Sequence, residues 1–180
     1  MYKHIKTYIF LLVVYLVGLP SYYSYLPTIP VYSNDESKIV KKMAQDRNSV
    51  DVNFFHLTNE SVSHAYVEHV NESIEELNNM FKPIIYVTLF FKFLINRPRP
   101  YQIDNSIKYF HTNTGQSPSM PAGHAFHAYY LTKKLSKKYP EKKELFEEIA
   151  KKCDDCRVHA GIHYPSDGKM SKQIVDLIYI

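Results

Sequence analysis

Three separated stretches of the chain each set a cation or a histidine beside a helix boundary: Lys92 with Arg99, Pro121-Ala122-Gly123-His124, and Arg157 with His163 and Asp167. Residues of these types describe a site for a phosphoryl group. Three cations and the open N–H groups at a helix start can hold three non-bridging oxygens while charge redistributes in a transition state. Gly123 lets a ligand come close to the backbone there. His163 and Asp167 add a nucleophile. Pro165 between them starts a new helix and puts Asp167 in its first turn, where the carboxylate can accept from an imidazole N–H, fix the tautomer and leave the other ring nitrogen free to attack. No metal is needed by this set, and no cluster of Asp and Glu stands at ligand spacing for Mg²⁺.

Each residue also has a plainer reading. Lys92 falls in an apolar stretch, where an unpaired ammonium is costly, and snorkelling from the helix end would relieve it. Arg97-Pro98 rivals Arg99-Pro100 for the same role. His127, one turn after His124, reads as a packing or capping residue, and His159 needs no catalytic role. The sequence identifies no partner for His56, His64, His69 or His111.

The elements that must position these residues are helical. Ile39, Val40, Met43 and Ala44 mark a first short helix, and Val67, Val70, Ile74 and Leu77 mark a second over residues 65–80. An apolar helix over 83–95, with Lys92 as its one charge, is stopped by Arg97-Pro98-Arg99-Pro100. A polar loop follows over 101–119. The fourth helix starts near Pro121 with Ser119 placed to cap it and reaches about Lys138. Pro140 opens the fifth, with Leu145, Phe146, Ile149, Ala150 and Cys153 inward. The last runs from Tyr164-Pro165 to the C-terminus with Ile174, Val175, Leu177 and Ile178 on its buried side. The fold class expected is all-α, a compact helical bundle.

The N-terminus differs in kind. Lys3, His4 and Lys6 precede twelve apolar residues, 8–19, which Pro20 ends. That length matches a signal-peptide core of ~7–15 residues better than the ~20 that span a bilayer. Residues 1–20 are therefore expected to be an export signal or an uncleaved anchor, residues 21–34 a linker and residues 35–180 the catalytic domain. The rest of the composition sets bounds. With 45% apolar and 22% charged residues in 180, the chain fits one globular domain, and five glycines are too few for a Gly-rich phosphate loop. A net charge of +4 favours an anionic partner without choosing it. The lysine pairs from Lys133 to Lys152 interleave with Glu141, Glu144, Glu147 and Glu148 and read as a solvated face, so no nucleic-acid partner is expected. Cys153 and Cys156, the only cysteines, read as free or locally paired thiols rather than metal ligands.

In order and spacing, Lys92-FLINRP-Arg99-Pro100, Pro121-Ala122-Gly123-His124 and Cys156-Arg157-VHAGI-His163-YPS-Asp167 resemble the three-part signature of the type 2 phosphatidic-acid phosphatase superfamily. That superfamily includes bacterial acid phosphatases and vanadium haloperoxidases. The resemblance implies a helical bundle of that type, in which His163 attacks phosphorus, Asp167 positions it, and His124 protonates the leaving alcohol and later activates water. Lys92, Arg99, Arg157 and the backbone at Gly123 would hold the phosphoryl oxygens, and Arg99 is selected over Arg97. Two positions depart from the pattern. Ala122 replaces a serine and removes one hydroxyl donor to phosphate. Cys156 replaces another serine and adds a site open to oxidation.

The activity implied is hydrolysis of phosphate monoesters, lipid or small and soluble, through a phosphohistidine, without a cofactor and with vanadate as an inhibitor. His163 should be neutral and His124 protonated, giving a bell-shaped pH profile on the acidic to neutral side. The catalytic domain should act outside the cytoplasm, exported or held at a membrane by the N-terminus. Two alternatives share the site: a vanadate-dependent haloperoxidase, for which vanadate is the cofactor, and a non-catalytic phosphate binder. The sequence sets no oligomeric state.

Overall fold

The computed structural model describes residues 34–179, and every regular element in them is a helix. The export signal or anchor expected over residues 1–20, and all but the end of the linker, lie outside the described residues. The chain is all-α, as the periodicity predicts. The described residues form eight α-helices in order: α1 Asn34–Asp46, α2 Ser49–Asn59, α3 Ile74–Phe81, α4 Ile85–Ile95, α5 Pro100–Ile103, α6 Gly123–Lys138, α7 Lys143–His159 and α8 Pro165–Ile178. Among the described residues, no helix is long and apolar enough to cross a membrane.

Helix α6 is the central post and packs chiefly against α7 and α8. Its inward row of Ala125, Phe126, Ala128, Leu131 and Leu135 is fully buried and meets Phe146 and Ala150 of α7 and Ile174 and Val175 of α8. Burying each large apolar side chain stabilises the fold by roughly 1.5–3 kcal/mol. One polar thread crosses this core. The Tyr66 hydroxyl donates to Ala128 O at 3.1 Å and pairs with Thr132 Oγ1 at 2.9 Å, and Thr132 Oγ1 donates to Phe146 O at 2.9 Å. Every polar atom on the thread is thus satisfied, as burial demands.

Several sequence-based expectations are corrected. The single helix over 65–80 is two 3₁₀ turns, Val62–Ala65 and Val67–His69, followed by α3. A capping box restarts the helix: Ser73 Oγ accepts from Glu76 N, and Glu76 accepts from Ser73 N. A second box, Asn48 with Asp51, opens α2, an element that hydrophobic periodicity does not reveal. The loop over 101–119 includes the end of α5 and a 3₁₀ turn at Asn113–Gln116, and it tucks Ile107 into the core. Leu177 and Ile178 are exposed rather than buried, because the inward row of α8 ends at Ile174 and Val175. Ser119 does not cap α6. The cap position is Ala122, which has no side-chain acceptor, and the Ser119 hydroxyl is spent on Asp167.

Candidate active site

The corner between α7 and α8 is built around Asp167, which is completely buried. Proline at the start of α8 supplies the fixed φ of a first helical position and leaves Asp167 facing back along the incoming chain. Its Oδ2 accepts from Tyr164 N at 2.9 Å, from His163 Nδ1 at 3.1 Å and from the Ser119 hydroxyl. Its Oδ1 accepts from Arg97 Nη1 at 2.7 Å. Burial pushes its pKa up, but the bonds from His163, the Arg97 charge and Ser119 outweigh that, and the net shift is downward. The buried group is a carboxylate.

Arg97 is itself held. Its Nη2 meets Glu36 Oε2 of α1 at 2.8 Å, and its guanidinium lies 3.7 Å from the centre of the Tyr164 ring. Glu36 also accepts from Ser166 N at 2.9 Å and Ser166 Oγ at 2.7 Å. The residue set aside in the sequence thus positions the carboxylate, and α1 braces it from outside. A charged arginine two residues from the selected one was the only signal available for it.

His163 is oriented by the same carboxylate. Its Nε2 lies 3.3 Å from Arg99 Nη1. A guanidinium only donates, so Nε2 carries the lone pair and Nδ1 the proton given to Asp167. Burial first, then the Arg99 charge, drives the His163 pKa down to about 3, against the opposing pull of Asp167. The imidazole is neutral, with Nε2 toward a cavity of about 150 Å³.

That cavity gathers Lys92, Arg99, Gly123, His124 and His163 from four separate parts of the chain, together with His127, Thr88 and Leu89. Lys92 does not snorkel to solvent. It is 4% exposed, and its ammonium donates to Pro118 O at 2.5 Å. Burial and the nearby Arg99 lower its pKa to about 7. Arg99 is anchored by Ser117 O at 3.0 Å and Ile162 O at 3.0 Å. Helix α4 ends at Ile95, and Asn96 after it, with a left-handed φ of 49°, closes the turn by donating its N–H to Lys92 O at 2.8 Å. This sharp stop brings Arg99 back beside Lys92. Gly123 begins α6 uncapped, so its first-turn N–H groups have no side-chain partner among the described residues.

Two expected phosphate residues stand apart from the cavity. Ala122 is fully buried, and its carbonyl accepts from Ser171 Oγ at 3.0 Å. Arg157 is fully buried too; its Nη2 donates to Thr58 O and Oγ1, both at 2.8 Å, and its guanidinium covers the Phe55 ring at 4.6 Å. Its Nε and Nη1 have no partner among the described residues, and its charge still reaches His124.

The surroundings of His124 oppose the proton that the sequence reading gives it. Burial, then Arg157 and His127, lower its pKa well below the ordinary value, and its Nε2 donates to Asn59 O at 3.1 Å. His127 packs as expected, stacked on Phe81 with ring centres 4.7 Å apart, yet it also lines the cavity, and its buried Nε2 has no partner among the described residues. Cys156 is buried, and burial raises its pKa to about 11, so the oxidation-prone thiolate expected there is scarce. A larger cleft of about 870 Å³ runs between α6, α7 and α8, but no histidine lines it. Lys133 and Lys172 there are paired with Asp176 at 2.7 and 2.8 Å, in keeping with a solvated charged face.

No protein-family model matches the chain, and no curated protein does. Among solved structures, the chain is similar to the transmembrane PAP2-type phosphatidylglycerolphosphate phosphatase from Bacillus subtilis. The two share 18% identity over 99% of this chain and 93% of that one, with a TM-score of 0.56. The chain therefore has the all-α fold of a PAP2-type phosphatase.

Proposed function

We propose that the protein is a phosphomonoesterase of the type 2 phosphatidic-acid phosphatase superfamily. One observation carries the reading: a neutral histidine, clamped at Nδ1 by a buried carboxylate, turns its free Nε2 into a small cavity whose other walls are Lys92, Arg99 and an uncapped helix start. The three-motif signature and the shared fold support it.

In this reading a phosphate monoester enters with its phosphoryl oxygens on Lys92, Arg99 and the first-turn N–H groups of α6. The Arg99 N–H that meets Nε2 turns to a phosphoryl oxygen and releases the lone pair. Nε2 of His163 forms a bond to phosphorus as the bond to the alcohol oxygen breaks. His124 gives a proton to that oxygen, and because Nε2 of His124 is committed to Asn59, Nδ1 is the nitrogen that carries it. A water then attacks phosphorus and returns a proton to His124, the Nε2–phosphorus bond breaks, and phosphate leaves. The dianionic substrate supplies the field that protonates His124 against burial and the Arg157 charge. Positive charge comes from the side chains and the helix, so no metal takes part, and vanadate inhibits by occupying the phosphoryl site. Arg157, whose Nε and Nη1 have no partner among the described residues, adds charge behind His124.

The test is hydrolysis of p-nitrophenyl phosphate by the whole chain in excess EDTA. Turnover should persist with EDTA and fall by about 10³-fold or more in His163→Ala. No turnover by the wild type between pH 4 and 8, or a substitution without effect, would sink the proposal.

A further inference from the structure

Among the described residues of the cavity wall, His127 is the titratable group that the proposed reaction does not use. It follows Gly123 by four residues on α6, so the two share a face, and a helical side chain leans back over the turn before its own. The imidazole therefore lies beside the turn whose N–H groups face the phosphoryl site. Phe81 fixes the plane of the ring by stacking on it with centres 4.7 Å apart. Nε2 is buried and has no partner among the described residues, a condition that costs stability until a hydrogen-bonding group meets it.

We propose that His127 determines specificity: it hydrogen-bonds a hydroxyl on the carbon next to the ester carbon, and so selects phosphate monoesters of 1,2-diols over those of plain alcohols. The inference rests on the phosphatase reading for the ester and not for the contact. In-line displacement carries the leaving oxygen away from His163 Nε2. His124 feels the charges of both His127 and His163, while the charge that bears on His127 is that of Lys92. His127 thus lies past His124 as seen from the nucleophile, on the side of the alcohol. At ~30 Å³ per water-sized group, a cavity of about 150 Å³ takes a phosphoryl group and only the first atoms of its alcohol. Around those atoms the wall is apolar at Ile85 and Leu89, and the Thr88 hydroxyl already donates to Ile84 O at 3.0 Å. His127 is the polar group left for them. Burial, then the Lys92 charge, lower its pKa to about 4, and a neutral imidazole nitrogen either donates or accepts according to tautomer. A hydroxyl answers both, whereas a phosphoryl oxygen only accepts and is matched by Lys92 and Arg99.

Calorimetry on the full chain with 3-hydroxypropylphosphonate and propylphosphonate reads the contact without turnover, since both put carbon in place of the ester oxygen and they differ only in the hydroxyl. Wild type should bind the first about tenfold more tightly, the worth of one hydrogen bond. His127→Phe keeps a ring against Phe81 and removes both nitrogens; it should bring the ratio near one, with the loss falling on the hydroxyl-bearing ligand. His127→Gln, which keeps a donor and an acceptor, should restore part of it. Equal affinities in wild type, or a ratio unchanged in His127→Phe, would overturn the proposal. Equal loss on both ligands would also overturn it, because His127 would then serve the phosphoryl group or the fold. Should His127→Phe fail to fold, nitrogen NMR of labelled wild-type histidines decides: a His127 ring resonance must move with 3-hydroxypropylphosphonate and not with propylphosphonate, and one that moves with neither has only water for a partner. The same tenfold preference is expected in kcat/KM for 2-hydroxyethyl phosphate over ethyl phosphate. A wild type that hydrolyses neither ester yet keeps the phosphonate ratio would remove the phosphatase reading and leave the contact standing.

Discussion

The two sides of the cavity are built in opposite ways. On the α7–α8 side, Asp167 takes four donors, His163 has both nitrogens engaged, and Arg97 and Glu36 close the network from outside. On the α4–α6 side the helix start is uncapped, His127 Nε2 lacks a partner among the described residues, and Lys92 holds its proton only to about pH 7. In the proposed reaction the protein alone orients the His163 imidazole, and an incoming phosphate ester would supply the partners on the other side.

Substitutions on each side should fail differently. Asp167→Asn keeps the shape but allows the wrong imidazole tautomer, and it should lower kcat on p-nitrophenyl phosphate by about 10³–10⁴-fold with KM little changed. A loss confined to KM would mean that the network binds rather than orients. His124→Ala should depend on the leaving group. On an alkyl phosphate it should cost about 10²–10⁴-fold, and on p-nitrophenyl phosphate, whose alcohol needs no proton, far less. Equal losses on the two substrates would contradict proton transfer from His124.

Smaller effects sharpen the contrast. Lys92 binds an anion in its protonated form, and burial and Arg99 lower its pKa to about 7. Anion affinity should therefore be full below pH 7 and lost as pH rises through it, by up to about tenfold per unit, the slope for one proton. Sulfate, which does not titrate in this range, is the probe for calorimetry. His163, lowered to about 3, contributes no limb near neutrality. Ala122→Ser should make the smallest change, tightening inorganic phosphate by about tenfold through one added donor, or leaving it unchanged if the hydroxyl caps α6 instead.

Much of this was legible in the sequence because punctuation and chemistry coincide there. Pro165 starts α8 and places Asp167; Arg-Pro ends the apolar helix and returns Arg99 to Lys92. The misses have a common cause. Apolar residues continue at helical spacing through 65–80, so periodicity runs across the break that Ser73 and Glu76 impose, and the capping box was the signal to weigh against it. Asn48 and Asp51 carried the same signal for α2. Arg97 and Ser119 could not be assigned, because their partners Glu36, Ser166 and Asp167 are distant in the chain and meet only in the folded molecule.

Helix α4 also limits how this chain can vary. Successive residues of a helix are set 100° apart. One residue inserted between Thr88 and Lys92 would turn the helix on one side of it by 100°, taking either Thr88 or Lys92 off the cavity and bringing apolar residues round in its place, whereas exchanging one large apolar residue for another on the exposed row of Tyr86, Leu89 and Phe93 disturbs neither side. Substitution is open to this helix and change of length is not, so the interval from Thr88 to Arg99 should stay constant among relatives even where the residues within it drift.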